Sequence, residues 1–562
     1  MDLYAKDFSE NPTNVSIQRS RIDISHSHKT TFNAGDLVPV GLWEVLPGDT
    51  FTMDTAMLVR MSTPIFPVMD NADIDLYYFF VPNRLVWDHW QEFCGENTTA
   101  PWTQTTEYTI PQLKFNSSGS HSNYGSEGAS LMNHFGIPSV LTSSGLTVSD
   151  LPNRAYRLIW NEFFRDENLQ SPVAVYTDDS DRSMSKSVGG YGNTLLKVCK
   201  HHDYFTSCLP APQKGAPVDL PLGSSAPVLV GSTLNSEVLD SSNNLVPLYY
   251  HMSSPPTGGD TVALHAISDT TGPGLVTSDD GSGVVPDGVA QPANLFADLS
   301  QATAATINQL REAFAVQRLF ERDARGGTRY IELLKSHFGV TSPDARLQRP
   351  EYLGGSRHPI SMDTVLQTSS TVSGHPQGTA AGYSNTTVSE SSFTKSFVEH
   401  GMILALACVR VKHSYCQGVE RFWSRKRRFD FYYPALANIG EMAVKRKEIY
   451  ATGDPDNDDA VFGYQEAWAD YRYKPNRLTG GFTPVWKSTA WGKSDLASAW
   501  TYSDYYSQAP TLSDTWIAED PANVTDTIAV SGQPHFIADF FFKTIATRPM
   551  PLYSIPGLID HN

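Results

Sequence analysis

The sequence is poor in charge, in paired cysteines and in long apolar runs. Of its 562 residues, 18% are charged, against about 25% in average soluble domains. The five cysteines are an odd number without C-x-x-C spacing, so they form neither a redox or zinc motif nor the even set typical of a disulfide framework. We therefore expect free thiols and a reducing, cytoplasmic folding site.

Membrane insertion and secretion are not predicted. The longest apolar run, Met402–Val411, already contains Arg410, whereas a membrane span needs about 20 apolar residues. This run is typical of a buried strand. The N-terminal residues carry mixed charge and have no apolar core, so we expect no secretory signal.

Enzyme motifs fail on inspection. No G-x-S-x-G or H-E-x-x-H occurs, and Gly492-Lys493-Ser494 ends like a P-loop although Lys487 occupies the position of the first glycine. A glycoside hydrolase would need two carboxylates in a cleft, and the sequence pattern selects no such pair. We expect a protein that is not an enzyme and that has no cofactor, catalytic residue or metal site.

What the chain does contain is aromatic residues and strand-like alternation. Phe, Tyr and Trp make up 11% of the residues. In 51–61 the apolar side chains alternate with polar ones, which predicts a half-buried strand, and Asp73–Val81 predicts another. Helical spacing predicts a short helix from about Arg84, a helix through Tyr156 and Phe164, one from Ile307 to Gly326-Gly327, and one that Thr328 would cap and Gly339 would end. The apolar stripes of these helices indicate core positions.

Residues 215–297 form the most distinctive stretch. They contain no Lys or Arg, eight Asp or Glu residues, and many Gly, Pro, Ser and Thr. We interpret the stretch as an acidic, exposed surface insertion, because loops of this length are usually functional or disordered. A flexible linker between domains is the alternative.

The opposite charge collects at 410–428, where seven basic residues face Glu420 alone and aromatic residues lie between them. Basic charge neutralises phosphates and aromatic faces stack on unpaired bases, so the pattern favours single-stranded nucleic acid. A basic rim that pairs with acids on a neighbouring subunit is the other interpretation. The net charge of −18 argues against a nucleic-acid-coating surface over the whole protein. The candidate nucleic-acid-facing residues are Arg421, Arg425, Lys426, Arg427, Arg428, Lys445, Arg446 and Lys447.

Several long segments carry a family resemblance. They include HSHKTTFNAGDLVP at 26–39, DIDLYYFFVPN at 73–83, LIWNEFFRDENL at 158–169, FGYQEAWADYRYKP at 462–475 and RPMPLYSIPGLIDH at 548–561. In these segments the chain resembles the major capsid proteins of gokushoviruses, which are single-stranded DNA bacteriophages of the microvirus group. The stretch 215–297 is outside the resemblance.

The resemblance implies a mainly β coat protein, an eight-stranded antiparallel jelly roll with long inserted loops and several helices. Residues 1–214 and 298–562 would form the jelly roll and its excursions, and 215–297 a threefold protrusion that meets the host receptor. Copies of the chain would assemble in the bacterial cytoplasm into a T=1 icosahedral virion shell around circular single-stranded DNA, with a small basic viral protein as a further partner. A host-adhesion or carbohydrate-binding β-protein of a phage particle is the alternative.

Overall fold

The structure is a computed structural model. It describes residues 18–97, 106–114, 131–138, 146–183, 194–216, 218, 307–373, 376–483, 495–530 and 532–553, and the backbone of seven short strands between 228 and 297. Two compact units are present, one formed by 1–214 with 321–562 and the other by 215–320. The strands of the second unit are Val228–Val230, Tyr249–Met252, Val262–Ala263, His265–Asp269, Gly272–Val276, Ala290–Pro292 and Leu295–Ala297.

The first unit is built on two antiparallel sheets. Their strands are β1 (Ser20–Asp23), β2 (His26–Phe32), β3 (Val38–Val45), β4 (Thr50–Met61), β5 (Ala72–Pro82), β6 (Glu351–Pro359), β7 (Thr386–Ser396), β8 (Gly401–Val411) and β9 (Phe536–Arg548). In one sheet β9 lies between β4 and the successive strands β1 and β2, and β7 pairs with the other edge of β4. In the other sheet the order is β6, β5, β8, β3. Among these nine strands, those that follow one another in the chain alternate between the sheets, as in a jelly roll, except for the pairs β1–β2 and β5–β6, which each stay within one sheet.

The core between the sheets follows from the alternation in the sequence. Phe51, Met53, Met57, Val59 and Met61 of β4 are all buried, which confirms the predicted half-buried strand. The strand predicted at 73–81 is confirmed as β5. The apolar run 402–411 is confirmed as the buried strand β8, and all its side chains except that of Arg410 are buried.

A second core covers the outer face of the β3–β8–β5–β6 sheet. Its helix α1 (Leu151–Ile159) continues as a π-helical turn, Trp160–Phe164. Tyr156, Ile159 and Trp160 pack with Phe79 and Leu404 from the sheet. The helical stripe predicted there is therefore confirmed as core.

The other helices are α2 (Ile307–Gly326) and α3 (Tyr330–Leu333), which continues as the π-helical turn Leu334–Phe338. Gly339 ends this turn in a left-handed conformation, with φ at +69°, as predicted. Thr328 is not its cap, because the N-cap position is that of Arg329, whose backbone N–H donates to Glu332. The backbone N–H and hydroxyl of Thr328 donate to Glu167 instead. Part of the α2 stripe is not core, since Phe314 and Leu319 are exposed.

The remaining elements are short. The helix predicted from Arg84 is a 3-10 turn, Asn83–Leu85, followed by a separate helix, Trp90–Phe93. The other strands are Gln112–Lys114, Thr147–Ser149, Arg182–Ser183, Met362–Leu366, Ala380–Ser384, Ser414–Tyr415, Glu441–Lys445, Val461–Glu466 and Asn476–Arg477. The other short helices and 3-10 turns are Leu131–His134, Arg421–Ser424, Arg428–Asp430, Pro434–Leu436, Arg446–Ile449, Pro455–Asp458, Ala469–Arg472, Gly480–Phe482, Asp495–Trp500, Asp514–Ile517 and Ala522–Thr525.

Within the described ranges the chain is mainly antiparallel β, and the two sheets of the sandwich hold nine strands rather than the predicted eight. The additional strand arises because β1 and β2 both pair with β9. No helix of the described part is long and apolar enough to cross a bilayer. All five cysteines are free thiols. The predicted surface insertion at 215–297 lies outside the described residues except for its strand backbones and a few residues at its start.

Candidate nucleic-acid interface

Five of the eight candidate residues lie on an irregular stretch that we name the aromatic–basic segment, residues 421–433. Only two 3-10 turns, Arg421–Ser424 and Arg428–Asp430, occur in it. Without a strand ladder its backbone depends on side chains for order. Those side chains are contributed mainly by 441–448 and 468–473.

Arg421 is a structural residue. Its Nη2 lies 3.1 Å from Oε1 of the buried Glu448, and its guanidinium also donates to the carbonyl oxygen of Ala443. Tyr204 donates to the other oxygen of Glu448 at 2.8 Å. Burial alone would lower the pKa of Arg421, but the Glu448 carboxylate raises it, so the guanidinium stays charged inside the protein.

Arg425 is also held within the fold. Its side chain is 7% exposed and pairs with Asp470. The guanidinium carbon lies 4.3 Å from the centroid of the Tyr471 ring, within cation–π range. With a carboxylate and a ring as partners, Arg425 has little left to offer a ligand.

The three basic residues that follow are different. Lys426, Arg427 and Arg428 are exposed, and none of them forms an ion pair with another described residue. The Asp430 carboxylate accepts the backbone N–H groups of Lys426 and Arg427 at 2.8 and 2.7 Å, which lowers the pKa of Asp430. The turn is therefore ordered while its cations face solvent.

The second basic group, 445–447, is mostly neutralised. Nζ of Lys445 and Nζ of Lys447 lie 2.9 and 2.8 Å from Oδ1 of Asp459, and these two hydrogen bonds lower the pKa of Asp459 to about 2. Arg446 is half-buried, and its Nε has no hydrogen-bond partner in the described residues. Because Lys445 N–H also donates to Glu448, this group is joined to Arg421 through one carboxylate.

Aromatic rings surround the free cations. Trp423 is 69% exposed and Phe429 72%. Further exposed rings are those of Phe422, Phe431, Tyr432, Tyr433, Tyr471 and Tyr473. A large exposed apolar patch marks an interaction surface, and rings beside cations without ion-pair partners suit both nucleobases and protein partners.

The residue pattern did not predict the carboxylates that determine which of the basic residues form ion pairs. Asp470 lies 45 positions from Arg425, and Asp459 lies 12 and 14 positions from the lysines that it binds. Nothing in the residue pattern predicted that Tyr471 and Tyr473 would lie close to the basic residues.

The two-sheet jelly roll with long excursions is an architecture of viral capsid and lectin domains, and the large exposed aromatic surface is typical of proteins that bind a partner. The chain matches the family described as "Capsid protein (F protein)" over residues 9–558, and it belongs to that family. It is 39% identical to capsid protein VP1 of Bdellovibrio phage phiMH2K, over 98% of this chain and 97% of the relative. The same identity is found with capsid protein VP1 of Chlamydia phage 1 over 98% and 97%, and 41% with that of Spiroplasma virus 4 over 96% of each.

These similarities confirm the resemblance to gokushovirus major capsid proteins. The chain is a phage major capsid protein, a virion component that self-assembles into a shell, and its role is structural rather than enzymatic.

Proposed function

We propose that copies of this chain form a T=1 icosahedral shell around a circular single-stranded DNA genome, assembled in the cytoplasm of the bacterial host. The observation that carries this proposal is the match to the capsid family over nearly the whole chain, together with the jelly-roll strand order. Electron microscopy of the expressed chain tests it. Small isometric particles with T=1 symmetry are expected, and particles of another symmetry would contradict the proposed T=1 arrangement.

Within the shell, we assign the DNA contact to Lys426, Arg427 and Arg428. They are exposed and unpaired, they lie on an ordered turn, and Phe422, Trp423 and Phe429 provide ring faces for unstacked bases. Arg421 and Arg425 act by ordering the segment. Lys445 and Lys447 contribute less to DNA binding, because both are paired with Asp459. A neighbouring copy is the competing partner of this surface.

The double variant Arg427→Ala/Arg428→Ala tests the DNA contact. Arg21→Ala/Arg346→Ala is the matched control, since it removes two exposed arginines elsewhere on the chain. Particles of the first variant should form but retain less DNA, and their retention should depend less on salt, whereas the control should retain DNA like the parent chain. Loss of particle formation by the first variant alone would instead assign the surface to a neighbouring copy.

The charge of the chain supports a separate basic partner. With 42 Lys and Arg against 60 Asp and Glu, the coat cannot neutralise a packaged genome by itself. We therefore propose that a small basic viral protein accompanies the DNA. The protein composition of purified DNA-filled particles checks this, and filled particles without such a component would contradict it.

Residues 215–297 are proposed to contact the host receptor, on the strength of their acidic, Gly-rich and Ser-rich sequence. Deletion of residues 220–295 should leave particle assembly intact and abolish adsorption to host cells. Normal adsorption of the deleted particles would remove this role.

A further inference from the structure

A cleft of about 950 Å³ opens beside β5 and β8, and no residue of the aromatic–basic segment lines it. Its walls come from the end of the π-helical turn after α1, from 199–202, from the end of α2 and from the turn after α3. All of these residues belong to the same compact unit. The volume is that of a small-molecule site, for which about 300–1,000 Å³ is typical.

One side of the cleft is aromatic. Five of its lining residues are rings grouped around Phe79, namely Tyr77, Phe79, Phe163, Phe164 and Tyr352. The Phe79 centroid lies 4.7 Å from that of Phe163 and 5.5 Å from that of Tyr352. Arg349 already covers one face of Phe163, at 4.2 Å. Tyr352 is the ring with the most open surface, at 45% exposure.

The other side carries cations, and most of them are already neutralised. Arg410 binds the buried Asp75, Arg329 binds Glu167 and Glu332, and Arg325 binds Glu441. Lys200 lies 3.0 Å from the buried Asp504. Glu167 and Glu332 share the single cation Arg329, so these pairs keep one excess negative charge, and two further cations of the cleft offset it.

Arg165 and Lys335 are the exceptions, because neither forms an ion pair with any described residue. The Nη1 group of Arg165 donates to the carbonyl oxygen of Gln170 at 2.8 Å, but its buried Nε has no acceptor. A buried donor without a partner is costly, and an anionic ligand would supply the missing acceptor. Asp166 follows Arg165 directly in the sequence, but its carboxylate already accepts the backbone N–H groups of Asn168 and Leu169.

We propose that this cleft binds a nucleotide-class ligand, a planar aromatic base bearing a phosphate, with the base against Tyr352 and the phosphate between Arg165 and Lys335. Guanidinium and ammonium groups together suit a phosphate, and an open ring suits a base. The ligand would be a free nucleotide or one unit of a DNA strand, since both offer this chemistry. The inference does not depend on the role given to Lys426, Arg427 and Arg428.

Equilibrium dialysis of the full-length chain against thymidine 5′-monophosphate tests the proposal. Lys335→Met removes an exposed cation, and Tyr352→Ala removes the open ring. Each should weaken binding about tenfold, the loss expected for one stacked base or one charged contact. Tyr383→Ala is the matched ring control, because Tyr383 is 44% exposed on another strand pair, and Arg21→Ala is the cation control, because Arg21 is an exposed arginine on β1. Both controls should bind like the parent chain.

Two further ligands separate the parts of the site. Thymidine and inorganic phosphate should each bind more weakly than the monophosphate, and equal binding of inorganic phosphate would overturn the base contact. Decathymidylate distinguishes a free nucleotide from one unit of a DNA strand as the ligand. If the chain binds decathymidylate and Tyr352→Ala weakens that binding, the ligand is a unit of DNA. If the chain binds the monophosphate but not decathymidylate, the ligand is a free nucleotide. Failure of the parent chain to bind either nucleotide, or equal losses in the controls, would overturn the proposal without touching the capsid role.

Discussion

Nδ1 of His413 lies 3.1 Å from Oδ1 of Asp504, and both side chains are buried beneath the sandwich. Nε2 of the same ring lies 3.2 Å from Glu519, and Lys200 completes the group on the other oxygen of Asp504. Two cations and two carboxylates therefore neutralise one another in the interior. The group joins four segments that are distant in the chain, so it fixes how the C-terminal excursions pack on the jelly roll.

The stability of the protein should decrease as pH rises from about 6.5 to about 10. The two carboxylates outweigh the effect of burial and raise the pKa of His413 to about 10, whereas an unfolded histidine titrates near 6.5. Between these values the folded chain keeps a proton that the unfolded chain has lost, so the contribution of His413 disappears as pH rises. Thermal unfolding of the unassembled chain at pH 6 and pH 10 measures the decrease.

His413→Gln should lower the free energy of unfolding near pH 7 by about 3 kcal/mol, since it leaves two buried carboxylates with one cation. The variant should also lose less stability than the parent chain between pH 6 and pH 10. His358→Gln is the control, because His358 pairs with Glu390 in a more exposed position. An unchanged pH profile in His413→Gln would show that this histidine is not the titrating group.

Two adjacent residues of β9 separate core packing from surface contact. Phe540 is fully buried in the sandwich, and Phe541 is about half exposed on the opposite face. Phe540→Ala should cost about 3–5 kcal/mol through lost burial and a cavity, while Phe541→Ala should change the stability of the unassembled chain by less than about 1 kcal/mol. Denaturant unfolding of both variants checks this, and equal losses would mean that the burial pattern of β9 is wrong.

Order in the aromatic–basic segment should depend on Asp470. Asp470→Asn removes the charge that holds Arg425. We expect the free energy of unfolding to fall by roughly 1.5–3 kcal/mol, which is the contribution of a hydrogen bond to a charged group. Trypsin should then cleave faster after Arg427 and Arg428, which lie in this segment. Asp459→Asn, which breaks exposed ion pairs, should leave the cleavage rate near that of the parent chain. Equal rates in the Asp470 variant and the parent chain would show that the segment is ordered by other contacts.

The rings and cations of the segment should affect DNA retention in different ways. Trp423→Ala/Phe429→Ala should lower retention at every salt concentration, because stacking does not release counterions. Arg427→Ala/Arg428→Ala should reduce the salt dependence itself. The slope of log affinity against log salt concentration should become shallower by about 0.7 per lost phosphate contact. Retention by purified particles across a salt series measures both quantities, and identical salt slopes in the two double variants would contradict a phosphate role for the arginines.

Local structure was predictable where the residue pattern carries it. The alternation in 51–61 and the helical stripe through Tyr156 both led to the right element and the right buried face. Pairing was not predictable from the pattern, because β2 bonds to β9 some five hundred positions later. The jelly roll itself was expected only through the family resemblance.

The candidate interface shows the same limit. The count of basic residues in 410–428 was correct, yet their availability depends on carboxylates that lie far from them in the chain, such as Asp470 for Arg425. Thr328 illustrates the reverse error: it has the right residue type for a helix cap, but the helix begins one residue later, after Arg329, and Thr328 donates to the distant Glu167.

The position of β9 has a consequence for synthesis of the coat. This strand, residues 536–548, runs between β2 and β4 and is thus central to its sheet. The ribosome makes it after β1 to β8, so the facing edges of β2 and β4 stay uncovered until residues 536–548 have been synthesised. A polypeptide that stops before β9 would keep both edges unpaired, and unpaired edges are templates for aggregation.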